Sequence, residues 1–167
     1  MASEPGRVRA MVDTTVLVAG ICWPRWPHEI LRASIRGDFQ LVLCPYVAEQ
    51  ARRVLRARFP AYVEHLEEFL SLAHFELVPD PSPEEVNDNH GLARDRSDVP
   101  IVLAAINAKV ACLVSEDKDL TAQDTTTAAL RQRLTVHLSG TFLREVMGWS
   151  GEMLEAIRYR RWQDLAR

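Results

Sequence analysis

Five short apolar runs alternate with amphipathic stretches along this chain of 167 residues. The runs lie at 8–12, 39–44, 75–78, 111–115 and 135–139. Stretches between them, at 28–36, 47–58, 62–73 and 100–109, carry apolar residues at helical spacing. Strands that alternate with helices predict a parallel sheet covered on both faces. We therefore expect an α/β fold, a three-layer α/β/α sandwich with a parallel sheet of about five strands.

The rest of the chain completes this predicted organisation. TTVLVAG, residues 14–20, is expected to continue the first strand into a turn, and WPRWP, residues 23–27, to form a loop because it carries two prolines. Residues 79–98 are polar and rich in proline, which predicts the longest irregular segment. Further helices are predicted at 125–132, 141–147 and 151–166. We expect a domain at 1–150 and a helical extension at 151–167 packed on the same domain.

Composition narrows the class of protein. The net charge is −3, so no overall basic field favours non-specific binding of nucleic acid. The three cysteines show no zinc-binding spacing, which favours buried, reduced thiols. No apolar run reaches the ~18–20 residues of a membrane span, and the first residues lack the apolar core of a signal peptide. We therefore expect a cytoplasmic protein that does not contact a membrane.

Acidic residues follow the predicted strands or begin the helices beside them. They are Asp13, Glu49, Asp98, Asp117 and Asp119. Because parallel strands end at one edge of the sheet, acids far apart in sequence are expected to converge there. Like charges at close range repel, unless one is protonated or a cation lies between them. Clustered carboxylates suit Mg²⁺ or Mn²⁺, so the pattern predicts a metal site.

Each acid taken singly also fits a structural role. Asp98 precedes the helix that begins near Pro100 and fits an N-cap. Glu49 fits an exposed helix position, and Asp119 fits a solvated turn. Asp13 is the hardest to explain in this way, because it lies between two apolar runs. The joint pattern therefore carries the prediction.

Four segments, in this order, resemble the PIN-domain ribonucleases and in particular the bacterial VapC-like toxins. They are AMVDTTVLVAG, LVLCPYVAEQARRVL, RDRSDVPIVLAAINAKVACLVSEDKDL and VHLSGTFLREV, within residues 8–147. The resemblance implies a PIN-like α/β/α fold and an Mg²⁺- or Mn²⁺-dependent endoribonuclease that hydrolyses RNA. Many bacterial members of the family are toxins, so it also implies an antitoxin protein as partner, and a homodimer.

The resemblance also assigns roles to residues. Asp13 matches the first acid of the family, Asp98 the third and Asp117 the fourth, and these three are expected to be catalytic and to bind the metal. Asp119 matches a further acid that is expected to bind the metal. The remaining matches are the supporting residues around Asp13, which are Thr14, Thr15 and Ser115.

Two positions depart from the family pattern. Thr15 stands where the family usually has Asn, so the support of Asp13 differs. The second acid of the family usually falls at the position of Gln50, whereas Glu49 lies one residue earlier. One residue rotates a side chain by about 100° around a helix. Glu49 is kept as the expected fourth catalytic residue, and which of the two faces the site stays open.

Contacts to a polyanion need local basic groups in an acidic chain. Arg52, Arg53 and Arg56 lie near Glu49 and are candidates for binding RNA. A second set, Arg158, Arg160 and Arg161 with Tyr159 and Trp162, fits an exposed helix face better. Trp23 and Trp26 fit either base stacking or packing against the next helix.

Other functions fit parts of the same sequence pattern. A degenerate PIN fold that serves as a protein- or RNA-binding module is the main alternative, because of the departures at Thr15 and Glu49. A phosphatase of the haloacid dehalogenase type requires an acid two residues after Asp13, where this chain has Thr15. A receiver domain gives no reason for the acids at 116–119.

Overall fold

A computed structural model describes residues 6–165 as one parallel sheet flanked by helices. The described strands are β1 (Arg9–Val12), β2 (Gln40–Leu43), β3 (Glu76–Leu77), β4 (Cys112–Val114) and β5 (Val136–His137). They pair in the order β3-β2-β1-β4-β5, and every pairing is parallel. The predicted α/β/α sandwich with five parallel strands is confirmed.

Helices connect and cover these strands. In chain order they are α1 (Thr14–Cys22), α2 (Trp26–Arg36), α3 (Pro45–Arg58), α4 (Val63–Leu72), α5 (Pro83–Asp88), α6 (Val99–Asn107), α7 (Lys118–Thr121), α8 (Ala128–Arg133), α9 (Ser139–Glu145), α10 (Gly151–Ile157) and α11 (Trp162–Leu165). Helix α1 packs against α2 and α3, and α2 packs against α9. Helix α6 packs against α3, α5 and β4.

The central strand β1 determines where the acids meet. Ala10 lies opposite Leu41 of β2 on one side and Cys112 of β4 on the other. All the residues of β2 and β4 are buried, as expected of strands covered on both faces. Because β1 and β4 are parallel and end in register, the residues after Val12 and Val114 meet at one edge.

Helix α1 corrects the prediction that TTVLVAG continues the first strand. The Asp13 side chain accepts a hydrogen bond from the Val16 N–H and so begins the helix directly after β1. The threonines and valines of α1 favour strands, and six of the nine residues of α1 are buried. The helix therefore shows no amphipathic period in the sequence. A Cβ at Gly20 would lie 2.6 Å from the Leu31 side chain, which shows how closely α1 approaches α2.

Three other local predictions differ from the structure. WPRWP is only partly a loop, since Trp26 begins α2 and Pro27 fits the first turn, where its missing N–H costs nothing. The segment 79–98 is not wholly irregular, because Ser82 and Glu85 form a capping box that begins α5. The predicted helix at 151–166 is two short helices, and Ala166 lies outside the described residues.

The C-terminal segment packs against the junction of α1 and α2. The Trp162 indole donates to the Cys22 carbonyl at 3.0 Å, and the Arg160 guanidinium donates to the Pro24 carbonyl at 2.7 Å. Arg160 also pairs with the buried Glu29 at 3.3 Å. The division into a domain and an extension at residue 150 stays a prediction, and residues 1–5 and 166–167 lie outside the described part. No helix within 6–165 has the length and apolar character needed to cross a membrane.

Candidate active site

Asp13 is the buried centre of the acidic edge. It follows β1 and is the N-cap of α1, with 2% of its surface exposed. Its Oδ1 accepts hydrogen bonds from the Thr15 hydroxyl at 2.6 Å and the Val16 N–H at 3.1 Å. Its Oδ2 accepts from the Ser115 hydroxyl at 2.5 Å. Both carboxylate oxygens are therefore fixed in position by groups of α1 and by Ser115, which follows β4.

Two hydroxyl groups join Asp13 to the segment after β4. The Ser115 Oγ, which donates to Asp13, accepts the Asp117 N–H at 2.9 Å. The Thr15 Oγ1, which also donates to Asp13, accepts the Glu116 N–H at 3.0 Å. Thr15 thus contacts Asp13 directly although it replaces the usual Asn of the family. Thr15 and Ser115 each contact Asp13 directly, and their supporting role in catalysis stays a prediction.

Burial makes Asp13 a weaker acid than an exposed aspartate. Loss of solvation raises its pKa to about 6, and the charge of Asp117 acts in the same direction. The hydrogen bonds from Ser115, Thr15 and Val16 oppose this rise in pKa. The carboxylate is therefore ionised at neutral pH but in a setting that favours a nearby cation.

Asp98 lies at the start of α6 and is 9% exposed. It holds the N-cap position, yet its side chain makes no capping hydrogen bond, so the structural role weighed from the sequence is not the one observed. Within the described residues its buried Oδ2 has no hydrogen-bond partner. Burial raises the pKa of Asp98 to about 7, and the charge of Asp117 adds to this rise. A buried, unpartnered carboxylate oxygen is costly unless a ligand completes it.

Asp117 and Asp119 extend the acidic edge beyond β4. Asp117 is the N-cap of α7, and its Oδ1 accepts the Asp119 N–H at 2.9 Å. The Asp119 carboxylate lies 3.8 Å from the Arg94 guanidinium, and about a third of its side chain is exposed. Asp117 therefore adjoins Asp13 and Asp98, whereas Asp119 is turned partly toward a basic group. Glu116 is exposed.

The donors fit a divalent cation without forming a finished cage. Within residues 6–165, no three His, Cys, Asp or Glu side chains are grouped closely enough to hold a metal ion as they stand. The carboxylates of Asp13, Asp98 and Asp117 are nevertheless mutually repelling, and one Asp98 oxygen lacks a partner. Hard oxygen donors with surplus negative charge suit Mg²⁺ or Mn²⁺.

Helix α3 presents Gln50 rather than Glu49 to the acidic edge. The Thr14 hydroxyl donates to Gln50 Oε1. Glu49 is exposed on the outer side and pairs with Arg56 at 3.3 Å and Arg52 at 3.8 Å. The prediction that Glu49 joins the catalytic acids is therefore corrected, because the rotation by one residue turns its side chain away.

The candidate RNA-binding arginines separate into two groups. Arg52 and Arg56 pair with Glu49, and Arg52 also contacts Glu67 at 2.5 Å. Their charge is thus largely matched by acids of the outer surface. Arg53 lies three residues after Gln50 and is exposed on the face of α3 that Gln50 shares.

Sequence reasoning missed two residues beside Asp98. Asp95 caps the turn Arg96–Asp98 by accepting from Ser97, and these hydrogen bonds lower the pKa of Asp95. Tyr46 of α3 donates from its hydroxyl to the Ser97 carbonyl at 2.9 Å and so joins α3 to the turn that carries Asp98. Asp95 is three residues before Asp98, so the sequence alone could have indicated a cap there. Tyr46 lies 51 positions from Ser97, and no local pattern predicts that contact.

The fold and this acidic edge define a class of protein. A sequence model described as the PIN domain matches residues 9–119, so the chain belongs to the PIN-domain family. No curated protein sequence matches the chain.

Solved structures share the fold. PAE2754 from Pyrobaculum aerophilum superimposes with a TM-score of 0.59 and is 20% identical, covering 89% of this chain and 100% of its own. VapBC2 from Rickettsia felis, solved bound to a DNA fragment from their promoter, superimposes with a TM-score of 0.53 and is 14% identical, covering 78% of this chain and 98% of the matched one.

Proposed function

We propose that this protein is a metal-dependent endoribonuclease that hydrolyses RNA phosphodiesters. One observation carries the proposal: Asp13 is buried and held by three hydrogen bonds, beside an Asp98 whose buried oxygen lacks a partner. Burial of a carboxylate without a paired charge destabilises the fold, so such a carboxylate is typical of a ligand-binding site. Membership in the PIN-domain family, whose members are generally nucleases, supports the same conclusion.

The acids would hold Mg²⁺ or Mn²⁺. Asp13, Asp98 and Asp117 are the proposed ligands, with Asp119 as a further one that would exchange its contact with Arg94 for the cation. These carboxylates would hold an ion that would lower the pKa of water and offset negative charge on the scissile phosphate. Ser115 and Thr15 fix the Asp13 oxygens, so that this ligand does not have to be reoriented.

The chain itself supplies positioning groups for the substrate. Arg53 places an exposed positive charge on the face of α3 nearest the acids and would attract the RNA backbone. Gln50, which is held by Thr14, replaces the acid that the family usually has and leaves the edge less negative. A smaller negative charge lowers repulsion of the phosphate and weakens attraction of the cation.

We include two partners in the proposal. The likeness in fold to VapBC2 supports the role of toxin in a pair with an antitoxin protein. Relief of growth arrest in a bacterial host by the product of a neighbouring reading frame would test this role. A homodimer is proposed as well, and sedimentation of the purified chain at several concentrations would test it.

A binding module without catalytic activity is the second candidate. Gln50 in place of an acid, together with the lack of a preformed three-acid group within residues 6–165, favours it. Such a module would bind RNA or protein through the same edge. It would not cleave RNA, with or without Mn²⁺.

The test is cleavage of a single-stranded RNA with Mn²⁺ and with a chelator. We expect cleavage by the wild type with Mn²⁺, and a loss of about 10²-fold or more in Asp13→Asn and Asp117→Asn, because each variant removes a ligand charge. Glu152→Gln, which removes one exposed acid from α10, is the matched control and should cleave like the wild type. A wild type that neither cleaves RNA nor binds Mn²⁺ would favour the binding module.

A further inference from the structure

A small mixed cavity lies beside the acidic edge, between the start of α2 and helix α9. Its volume is about 190 Å³. Trp26 and Gly140 contribute to its wall, and Glu116, Thr141 and Arg144 bring polar groups to it. Pockets for drug-sized ligands measure roughly 300–1,000 Å³, so this cavity suits a single planar ring system.

One residue of the cavity wall, Glu116, is the chain neighbour of the proposed metal ligand Asp117. Glu116 precedes Asp117 in the chain, and its N–H donates to the Thr15 hydroxyl at 3.0 Å. That hydroxyl in turn donates to Asp13 at 2.6 Å. Glu116 therefore joins the wall of the cavity to the segment that carries the proposed metal ligands.

The aromatic wall is held in a fixed orientation. The Trp26 indole N–H donates to the Leu154 carbonyl at 2.9 Å, and the Arg158 guanidinium lies 5.5 Å from the ring centroid. A Cβ at Gly140 would lie 3.2 Å from two ring atoms, so glycine at this position lets α9 pack closely against the indole. An indole that is fixed in advance loses little entropy when a base packs beside it.

The polar groups of the cavity are complementary to one base. Glu116 is exposed and forms no ion pair among the residues that the structure describes. Within residues 6–165, Arg144 pairs with its exposed neighbour Glu145 at 3.3 Å, and such a surface pair is weak. A carboxylate accepts two hydrogen bonds side by side, and a guanidinium donates two.

We propose that this cavity binds a guanine base of the RNA, next to the phosphodiester that is cleaved; the inference rests on the proposed ribonuclease function. Guanine offers its N1–H and N2 amino group as paired donors to Glu116. It also offers O6 and N7 as paired acceptors to Arg144. Adenine lacks the paired donors, and cytosine offers a carboxylate only its N4 amino group. The Trp26 indole supplies an apolar wall beside the ring.

The test uses oligouridylates that carry one central guanosine, inosine or 7-deazaguanosine. Inosine lacks the N2 amino group that Glu116 would accept, and 7-deazaguanosine lacks the N7 that Arg144 would contact. Mn²⁺-dependent cleavage and equilibrium binding are measured for each oligonucleotide, binding by fluorescence anisotropy without metal. We expect the wild type to favour guanosine over inosine by about tenfold in both assays, because a bidentate pair discriminates to that extent.

Two variants and one control make the assignment specific. Glu116→Gln should reduce the preference for guanosine over inosine to about one, and Arg144→Ala should do the same for guanosine over 7-deazaguanosine. Glu152→Gln, which removes an equally exposed acid outside the cavity, should keep both preferences. Thermal unfolding checks that the variants remain folded, as expected for exposed side chains.

The outcomes separate this inference from the proposed function. Preference for guanosine in binding that depends on Glu116, without cleavage, would support the cavity and contradict the nuclease. Cleavage without base preference, or preference that survives in Glu116→Gln, would overturn the cavity and leave the nuclease standing. Equal binding of all three oligonucleotides without cleavage would overturn both.

Discussion

Asp13 and Asp98 are buried carboxyl groups that cost the folded chain stability when they ionise. The pKa of Asp98 is about 7 in the folded state, against about 3.9 for an unperturbed aspartate. The folded protein therefore keeps a proton that the unfolded chain releases, and its stability falls as the pH rises from about 4 to about 7. Above that window the loss is complete and constant.

Asp98→Asn is expected to stabilise the protein at high pH. The amide removes the buried charge and can donate a hydrogen bond to the Asp117 side chain. We expect a gain in the free energy of unfolding on the order of 1–3 kcal/mol at pH 8 that shrinks toward pH 4. Urea unfolding with a chelator present, at pH 4, 6 and 8, measures this. A variant that is equally stabilised at all three pH values, or less stable at pH 8, would contradict the account.

The residues of the acidic edge were predictable where the sequence carries the signal itself. Asp13 and Asp117 follow apolar runs. Val12 pairs with Val114, so the parallel pairing brings Ser115 opposite Asp13. The shared hydroxyl bridges of Thr15 and Ser115 depend on rotamers, which no sequence pattern specifies. The contact of Tyr46 with Ser97 depends on tertiary packing and was equally inaccessible.

At the scale of elements, the rotation of α3 decides which polar residue faces the acids. Gln50 contacts Thr14, and Glu49 pairs with exposed arginines. Counting along the sequence left both residues open, because the helix begins at Pro45 and a shift of one position changes the facing side chain.

Glu49→Gln and Gln50→Ala are therefore expected to behave differently. Loss of Glu49 removes an exposed charge outside the acidic edge and should change Mn²⁺-dependent RNA cleavage by less than about twofold. Loss of Gln50 removes the partner of Thr14 and should lower the rate severalfold. Initial cleavage rates of the two variants measure the contrast. Loss of activity in Glu49→Gln with full activity in Gln50→Ala would reverse the assignment.

The close packing of α1 on α2 predicts that a larger residue at Gly20 destabilises the protein. Gly20→Ala places a methyl group 2.6 Å from the Leu31 Cδ1, so we expect a loss of about 1–3 kcal/mol in the free energy of unfolding. Gly151→Ala is the matched control, since nothing lies within 4 Å of a Cβ there and alanine favours the helix. Urea unfolding compares them. Equal stability of the two variants would contradict the close approach.

The order of helices and strands was largely predictable, and the exceptions have physical causes. Helix α1 looked like a strand because it is β-branched and buried on most sides, so its amphipathic period is hidden. Helix α5 was predictable from the capping box at Ser82 and Glu85, but the prolines around it favoured an irregular segment. Longer helices such as α3 were predicted closely because one face is apolar.

At the scale of the whole molecule, the C-terminal segment holds the junction of α1 and α2. Arg160 is about 15% exposed and pairs with Glu29, which is about 9% exposed, whereas Arg161 is 63% exposed and contacts Asp164 at 3.6 Å. Arg160→Ala removes a positive partner of the buried Glu29 and should lower the free energy of unfolding by about 1–3 kcal/mol. Arg161→Ala should change stability by less than about 0.5 kcal/mol. Thermal unfolding tests this, and equal effects would show that the segment is not held by Arg160.

The whole acidic edge, which is assembled from β1, β4 and the turn before α6, is proposed to bind a divalent cation. Calorimetric titration with Mn²⁺ at pH 7.5 measures this binding. We predict one ion per chain for the wild type and affinity that is lower by at least about tenfold in Asp117→Asn and Asp98→Asn, with no change in Glu152→Gln. A wild type that binds no Mn²⁺, or binds it equally well without Asp98 and Asp117, would contradict the account.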